Sequence, residues 1–152
     1  MIVEIEYDSI FPIWEQFLWN TRQTKIETHS AMLYNSANYD IKNFNHKATY
    51  LAFCVNDTVA GVNSGHLCSD GTYRSRGLFV FPQFRHQGIG TELLKAVIVQ
   101  GLSERATFIW SYPRETSWGT YQKAGFSLSG DWHNSELGRN AYCFFDSSSI
   151  KS

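Results

Sequence analysis

Arg85-His86-Gln87-Gly88-Ile89-Gly90 sets one cation and two glycines between a strand-like and a helix-like segment. Leu78 to Phe81 is a continuous apolar run, as expected of a strand covered on both faces. Pro82 has no N–H to give to a ladder, which predicts that the strand ends there. Gly88 and Gly90 remove side chains where a backbone can come close to a ligand. Leu93, Leu94, Val97 and Ile98 then recur at helical spacing, and Gly101 suits the end of that helix. The free N–H groups at a helix start bind anions, helped by the helix dipole, and Arg85 adds positive charge beside them. The chemistry this allows is capture of a phosphate or pyrophosphate next to an open strand edge. The dinucleotide fingerprint would need a third glycine where Leu93 stands, and a P-loop would need a lysine directly after Gly90. The competing explanation is a tight turn whose glycines serve packing alone.

Val80-Phe81-Pro82 followed by Arg85-His86-Gln87-Gly88-Ile89-Gly90 resembles the acetyl-CoA loop of the GCN5-related N-acetyltransferase (GNAT) family. Further on, Tyr121-Gln122-Lys123-Ala124-Gly125-Phe126 is similar to that family's Tyr-x-Lys-x-Gly-Phe segment. The two motifs span residues 78 to 126, and the order of elements around them fits the family over nearly the whole chain. The resemblance implies an α/β fold, the acyl-CoA N-acyltransferase fold. Its sheet would be mixed and mostly antiparallel, of about six to seven strands, with helices on both faces.

The elements that must position these motifs read as follows. Val3, Ile5 and Tyr7 alternate with Glu4 and Glu6, predicting a half-buried edge strand. Asp8 or Ser9 is placed to cap a helix with Pro12 in its first turn and Phe17 and Leu18 on its apolar face. Residues 25–34 read as a second short helix with Ile26, Leu33 and Tyr34 inward, and the Asn-rich stretch 35–47 as a loop. Thr49–Val55 and Thr58–Cys68 form a hairpin turning at Asn56-Asp57, which sets Cys54 opposite Val59. Ser69-Asp70-Gly71-Thr72 turns into the central strand Tyr73–Phe81. Thr107–Tyr112 is a further strand stopped by Pro113, and Glu115–Lys123 a short helix. Phe126–Trp132 and Ala141–Asp146 pair at the end, joined by a polar loop from His133 to Asn140. Residues 1–146 read as a single N-acetyltransferase domain and 147–152 as a frayed tail.

The chain has 152 residues, 43% apolar and 18% charged, an ordinary composition for one core. Thirteen Lys and Arg against fourteen Asp and Glu imply no polyanion-binding surface, and no nucleic acid is expected as a partner. Arg76 to Phe81 loosely resembles an RNA-binding strand, but Phe79 takes the small-residue position. No apolar run approaches the ~20 residues of a membrane span, so no membrane partner is expected. The start Met1-Ile2-Val3-Glu4 has no secretory character, and Cys54, Cys68 and Cys143 have no disulfide-framework spacing. Reduced core thiols in a cytoplasmic protein, monomer or homodimer, are the expectation. His66 and Cys68 lack further partners at metal spacing, so no metal is expected.

Acetyl transfer requires a held cofactor, a polarised carbonyl, a deprotonated amine and a proton for the leaving thiolate. The resemblance implies acetyl-CoA as co-substrate. Its pyrophosphate would rest on the amides of His86, Gln87, Gly88, Ile89, Gly90 and Thr91, beside Arg85. Its pantetheine arm would pair like an extra strand with Leu78, Phe79 and Val80, and an N–H near Phe79 or Val80 would polarise the acetyl oxygen. Tyr121 is the candidate general acid, because a phenol keeps its proton at neutral pH; its alternative role is packing. Arg114 and Ser117 depart from the family's usual Asn and Ala before the tyrosine, and Trp118 follows. Asp70, Glu115, His66 and His133 are the groups that come into question as base, and each equally fits a turn or core role. The acceptor side, by family analogy, comes from residues 20–47 and 132–140, with Trp19, Glu27, Tyr34, Trp132 and His133 as candidate contacts and Asp40 nearby. Aromatics with a few carboxylates suit a primary amine on a small molecule or peptide. The implied activity is an acetyl-CoA-dependent N-acetyltransferase working by direct attack in a ternary complex. The rival is a catalytically inactive GNAT-fold module that binds acetyl-CoA or CoA.

Overall fold

A computed structural model describes residues 1–35 and 47–145. Strand β1 (Ile2–Ile5) leads into helix α1 (Tyr7–Ile13), which continues as one π turn, Trp14–Leu18. The helix starts earlier than expected: Glu6 caps it in extended geometry with no side-chain bond, and neither Asp8 nor Ser9 takes that role. Pro12 therefore lies inside the helix, where its missing N–H disturbs the ladder. The π turn follows directly, closed by the Trp19 N–H donating to Trp14 O at 2.6 Å.

Strands β2 (Ala48–Val55) and β3 (Thr58–Leu67) form the expected hairpin, with Cys54 opposite Val59. Asn56 and Asp57 both have positive φ, 49° and 67°, the two-residue turn whose twist matches the strands. Strand β4 (Tyr73–Val80) is followed by a 3₁₀ turn, Pro82–Phe84, and helix α2 (Ile89–Ser103). Strand β5 (Ile109–Ser111), a 3₁₀ turn (Glu115–Ser117), helix α3 (Trp118–Lys123) and strand β6 (Phe126–Leu128) come next. Residues 133–140 are a small hairpin, β7 (His133–Ser135) and β8 (Gly138–Asn140), rather than a plain loop. Strand β9 (Cys143–Phe145) closes the described chain. Asp146, the expected tail 147–152, and Asp40 with nearly all of the expected loop 35–47 lie outside the described residues.

The sheet has seven strands in the order β1-β2-β3-β4-β5-β9-β6. All neighbours are antiparallel except β4 and β5. One core lies under α2 and α3, built on Tyr73, Leu93, Leu94, Val97 and Phe126; the other lies under α1, built on Ile10, Trp14, Ala52 and Val62. Helices thus cover both faces, as the resemblance implied. Gly101 is not the helix end. It is buried inside α2 against the Tyr73 ring, and a Cβ there would stand 2.8 Å from the ring. The helix runs two residues further to Ser103.

The expected helix over 25–34 does not form. Its carbonyls are claimed by side chains from the sheet and from α1: Tyr7 Oη donates to Ile26 O at 2.7 Å, Tyr50 Oη to Thr28 O at 2.6 Å, and Arg76 Nη1 to Glu27 O at 3.0 Å. Such bonds compete with the helical ladder and hold the segment open as a strap. Among the described residues, no helix is long and apolar enough to cross a membrane.

Candidate active site

Strand β4 is bent where the site lies. Val62 faces Phe79 while Ser64 faces Arg76, so β4 carries one extra residue there. That bulge contains Gly77, at φ +84°, whose carbonyl accepts a 2.9 Å bond from Trp14 Nε1. A Cβ on Gly77 would meet the indole at 2.5 Å, so only glycine allows this docking. Parallel pairing with β5 covers only Tyr73 to Ser75. Beyond Ser75, β4 runs on to Val80 with no strand on that side among the described residues. Phe81 N–H donates to Ala60 O, toward β3. Period-two alternation then turns Phe79 N–H toward β3 and the amides of Leu78 and Val80 toward the open edge.

The loop after β4 carries the second half of the site. His86 has φ +64° and Gly88 +81°. Alternation of right- and left-handed residues points successive amides into one concavity, an anion-binding nest. Among the described residues, no backbone acceptor takes the amides of His86 to Thr91; the first bonded one is Glu92 N–H, to Gly88 O at 3.1 Å. A Cβ on Gly88 would meet nothing within 4 Å, whereas one on Gly90 would meet Thr120 at 2.9 Å. Gly88 thus serves the turn and Gly90 the packing of α2 on α3. Arg85 is held at the loop's root, its Nε donating to Val80 O at 2.8 Å and its guanidinium over the Phe79 ring.

A cavity of about 490 Å³ lies alongside this edge, lined by Gly77 and Leu78 of β4, Ser111 of β5, and Tyr121 of α3. The phenol of Tyr121 is buried, and burial, with the Cys143 thiol beside it, raises its pKa well above the ordinary tyrosine value; Ser111 partly offsets this. Ser111 Oγ in turn donates to Ser75 O at 2.7 Å, which fixes that part of the wall. Arg114 and Ser117 also line the cavity, and Arg114 Nη2 donates to Leu18 O at 2.7 Å, joining this wall to the π turn.

The remaining walls come from the two regions expected on the acceptor side. Trp19 and Arg22, after the π turn, join Glu27 and His29 to Met32 of the strap, and the β7–β8 hairpin adds Ser135 to Leu137 and Asn140. Gln23 N–H donates to Glu136 Oε1 at 2.7 Å, linking the two. Of the five residues named for the acceptor, Trp19 and Glu27 line the cavity. Tyr34 packs instead on Phe108, Trp110 and Tyr142; Trp132 meets Trp118; His133 bonds Tyr112. None of the four groups raised as base lines it either. Asp70 caps its own turn through Thr72, and Glu115 pairs with Arg139 at 3.2 Å. His66 is buried between Leu67 O and Ser30 N, its pKa held well below the usual value by burial.

Two cavity arginines, Arg74 and Arg76, are not among the site residues expected from the sequence. Their signal was available: two arginines two apart in a central strand put both guanidiniums on one face.

An open strand edge beside amides without backbone acceptors has the geometry to take a phosphate-bearing ligand with an extended arm. Residues 12–126 match the sequence profile of the acetyltransferase (GNAT) family, and the chain belongs to that family. No curated protein matches it by sequence. Among solved structures it is similar to a protein of Lactobacillus plantarum assigned as an N-acetyltransferase, at 13% identity and TM-score 0.68, covering 95% of this chain and 96% of that one. It is also similar to one of Klebsiella pneumoniae assigned as an acyl-CoA N-acyltransferase, at 12% identity and TM-score 0.63, covering 96% and 97%. A Bacillus subtilis acetyltransferase solved in complex with CoA matches at 16% identity and TM-score 0.56, covering 65% of this chain and 76% of that one. At these identities the likeness shows the fold.

Proposed function

We propose that this chain moves an acetyl group from acetyl-CoA to the primary amine of a small molecule or peptide, by direct attack with both substrates bound. The observation that carries the reading is the pairing of amides at residues 86–91 that have no backbone acceptor among the described residues with a β4 edge that has no neighbouring strand beyond Ser75 and leads into the cavity holding Tyr121. Those amides suit the pyrophosphate, and the edge from Leu78 to Val80 suits a peptide-like pantetheine arm. Bound acetyl-CoA supplies an activated acyl carbon and a thiolate leaving group.

The Leu78 N–H, on the open side next to the bulge, donates to the acetyl oxygen as negative charge develops there. The acceptor enters from the strap side, with the Glu27 carboxylate at the mouth to receive its ammonium. The amine gives one proton to solvent before attack. Tyr121 then passes its phenolic proton to the departing sulfur and recovers one from the nitrogen that has formed the new bond. The raised pKa of Tyr121 keeps this proton in place until a basic thiolate appears in the same desolvated pocket. Three unpaired cysteines, two of them buried, support a cytoplasmic setting. The test is a thiol-release assay over amines, amino acids and peptides. Turnover that needs both acetyl-CoA and an amine supports the reading; tight CoA binding with no turnover on any amine contradicts it.

A further inference from the structure

Among the described residues, no acidic side chain pairs with Arg74 or Arg76. The Arg74 side chain lies on the Trp110 ring, its guanidinium carbon 5.2 Å from the centroid, and its Nε is buried with no hydrogen-bond partner. Arg76 is 3% exposed, held between Trp14 and Trp19 at 5.1 Å from each ring, with one bond, to Glu27 O. Two ion pairs occur among the described residues, Lys95–Glu92 and Arg139–Glu115, and neither involves a cavity arginine. Four arginines face the cavity against two glutamates, Glu27 and Glu136. A buried guanidinium with unmet donors is costly unless an anion completes it. Burial and the neighbouring Arg74 and Arg22 pull the Arg76 pKa down to about 9, which still leaves it charged at neutral pH.

The cofactor's diphosphate is not that anion. Arg76 precedes Val80 by four residues and Arg74 by six, roughly 13 and 20 Å of strand at about 3.3 Å per residue. The amide loop starts only beyond Val80. By contrast, Ser75, between the two arginines, is tied through Ser111 to the wall where Tyr121 sits. Arg74, Arg76 and Tyr121 line one cavity of about 490 Å³, so an anion on the arginines and an amine beside the phenol can belong to one small molecule.

Building on the acetyltransferase reading, we propose that the acceptor is an amino-acid-like amine whose carboxylate is seated on Arg74 and Arg76. A guanidinium presents paired donors that match a carboxylate, and stacking on tryptophan fixes the fork in advance.

Two measurements test this on the intact protein. In the first, amino acids are compared with their own carboxamides and with aminoalkyl phosphates in the thiol-release assay. The free acids should exceed the amides by about 10- to 100-fold in kcat/KM, carried by KM, and Arg74→Gln should shrink that ratio. Equal rates for acid and amide overturn the proposal, as does a preference for the phosphates. In the second, malonate is titrated against melting temperature at constant ionic strength, with no acetyl-CoA present. The wild type should be stabilised and Arg74→Gln should not; a wild type that ignores malonate overturns the proposal even if no acceptor has been found. Malonate displacing acetyl-CoA also overturns it, by giving the arginines to the cofactor. Should Arg74→Gln fail to fold, the wild-type comparisons decide alone. Failure of the parent reading looks different: none of the amines then drives release of CoA from acetyl-CoA, while malonate still binds.

Discussion

At the residue scale, the Tyr121 proton is the most exposed part of the proposal. Tyr121→Phe removes one oxygen from a buried ring that packs edge-on against Phe126, so the pocket shape survives. Loss of a positioned acid predicts a fall of about 100-fold in kcat with little change in KM for acetyl-CoA. An unchanged kcat, where chemistry limits turnover, removes the role. His66 makes a separate prediction about stability. Its folded pKa is depressed, so the unfolded chain takes up a proton near pH 6.5 that the folded chain refuses. The stability it contributes is present above pH 6.5 and lost as pH falls below, by at most about 1.4 kcal/mol per pH unit from this one group. Urea melts between pH 7 and 5 check this: His66→Gln should flatten the slope, and an equally steep slope in the variant contradicts it. Both residues could be named from sequence, but not their surroundings. Burial of the phenol and the neutrality of the histidine depend on strands far apart in the chain.

At the scale of elements, what was legible depended on whether a signal was local. The hairpin at Asn56-Asp57, the strand ending before Pro82 and the helix carrying Leu93, Leu94, Val97 and Ile98 are written in turn chemistry and periodicity, and they appear where expected. Residues 25–34 of the strap read as a short helix because Ile26, Leu33 and Tyr34 can share one helical face. Their backbone partners are instead Tyr7, Tyr50 and Arg76, which no window around residue 28 contains. Gly101 shows the same limit. A glycine near a helix end suggests a cap, yet this one makes room for the Tyr73 ring. Gly101→Ala gains helix propensity of up to about 1 kcal/mol and pays in overpacking. The expected net result is a lower denaturation midpoint, by about 1–2 kcal/mol in stability. A midpoint equal to or above the wild type contradicts the packing role.

At the scale of the whole molecule, one feature joins the fold to the site. At the bulge in β4, Trp14 of the π turn after α1 is seated on Gly77, just beyond the three residues over which β4 pairs with β5. The bend leaves β4 without a neighbour for its last residues, and the vacancy continues into the cavity under the strap. The motifs point to the amide loop and the phenol, and family analogy to the two acceptor regions, whereas the place of Arg74 and Arg76 in the cavity wall is visible only in the tertiary structure. Backbone amide hydrogen exchange on the intact protein, with and without acetyl-CoA, tests the central claim most directly. Binding should slow exchange at His86 to Thr91 and at Leu78 and Val80, the amides without a backbone acceptor among the described residues, while Phe79, already directed to β3, changes little. Exchange at these amides unaltered by saturating acetyl-CoA, or protection confined to another part of the sheet, contradicts the account.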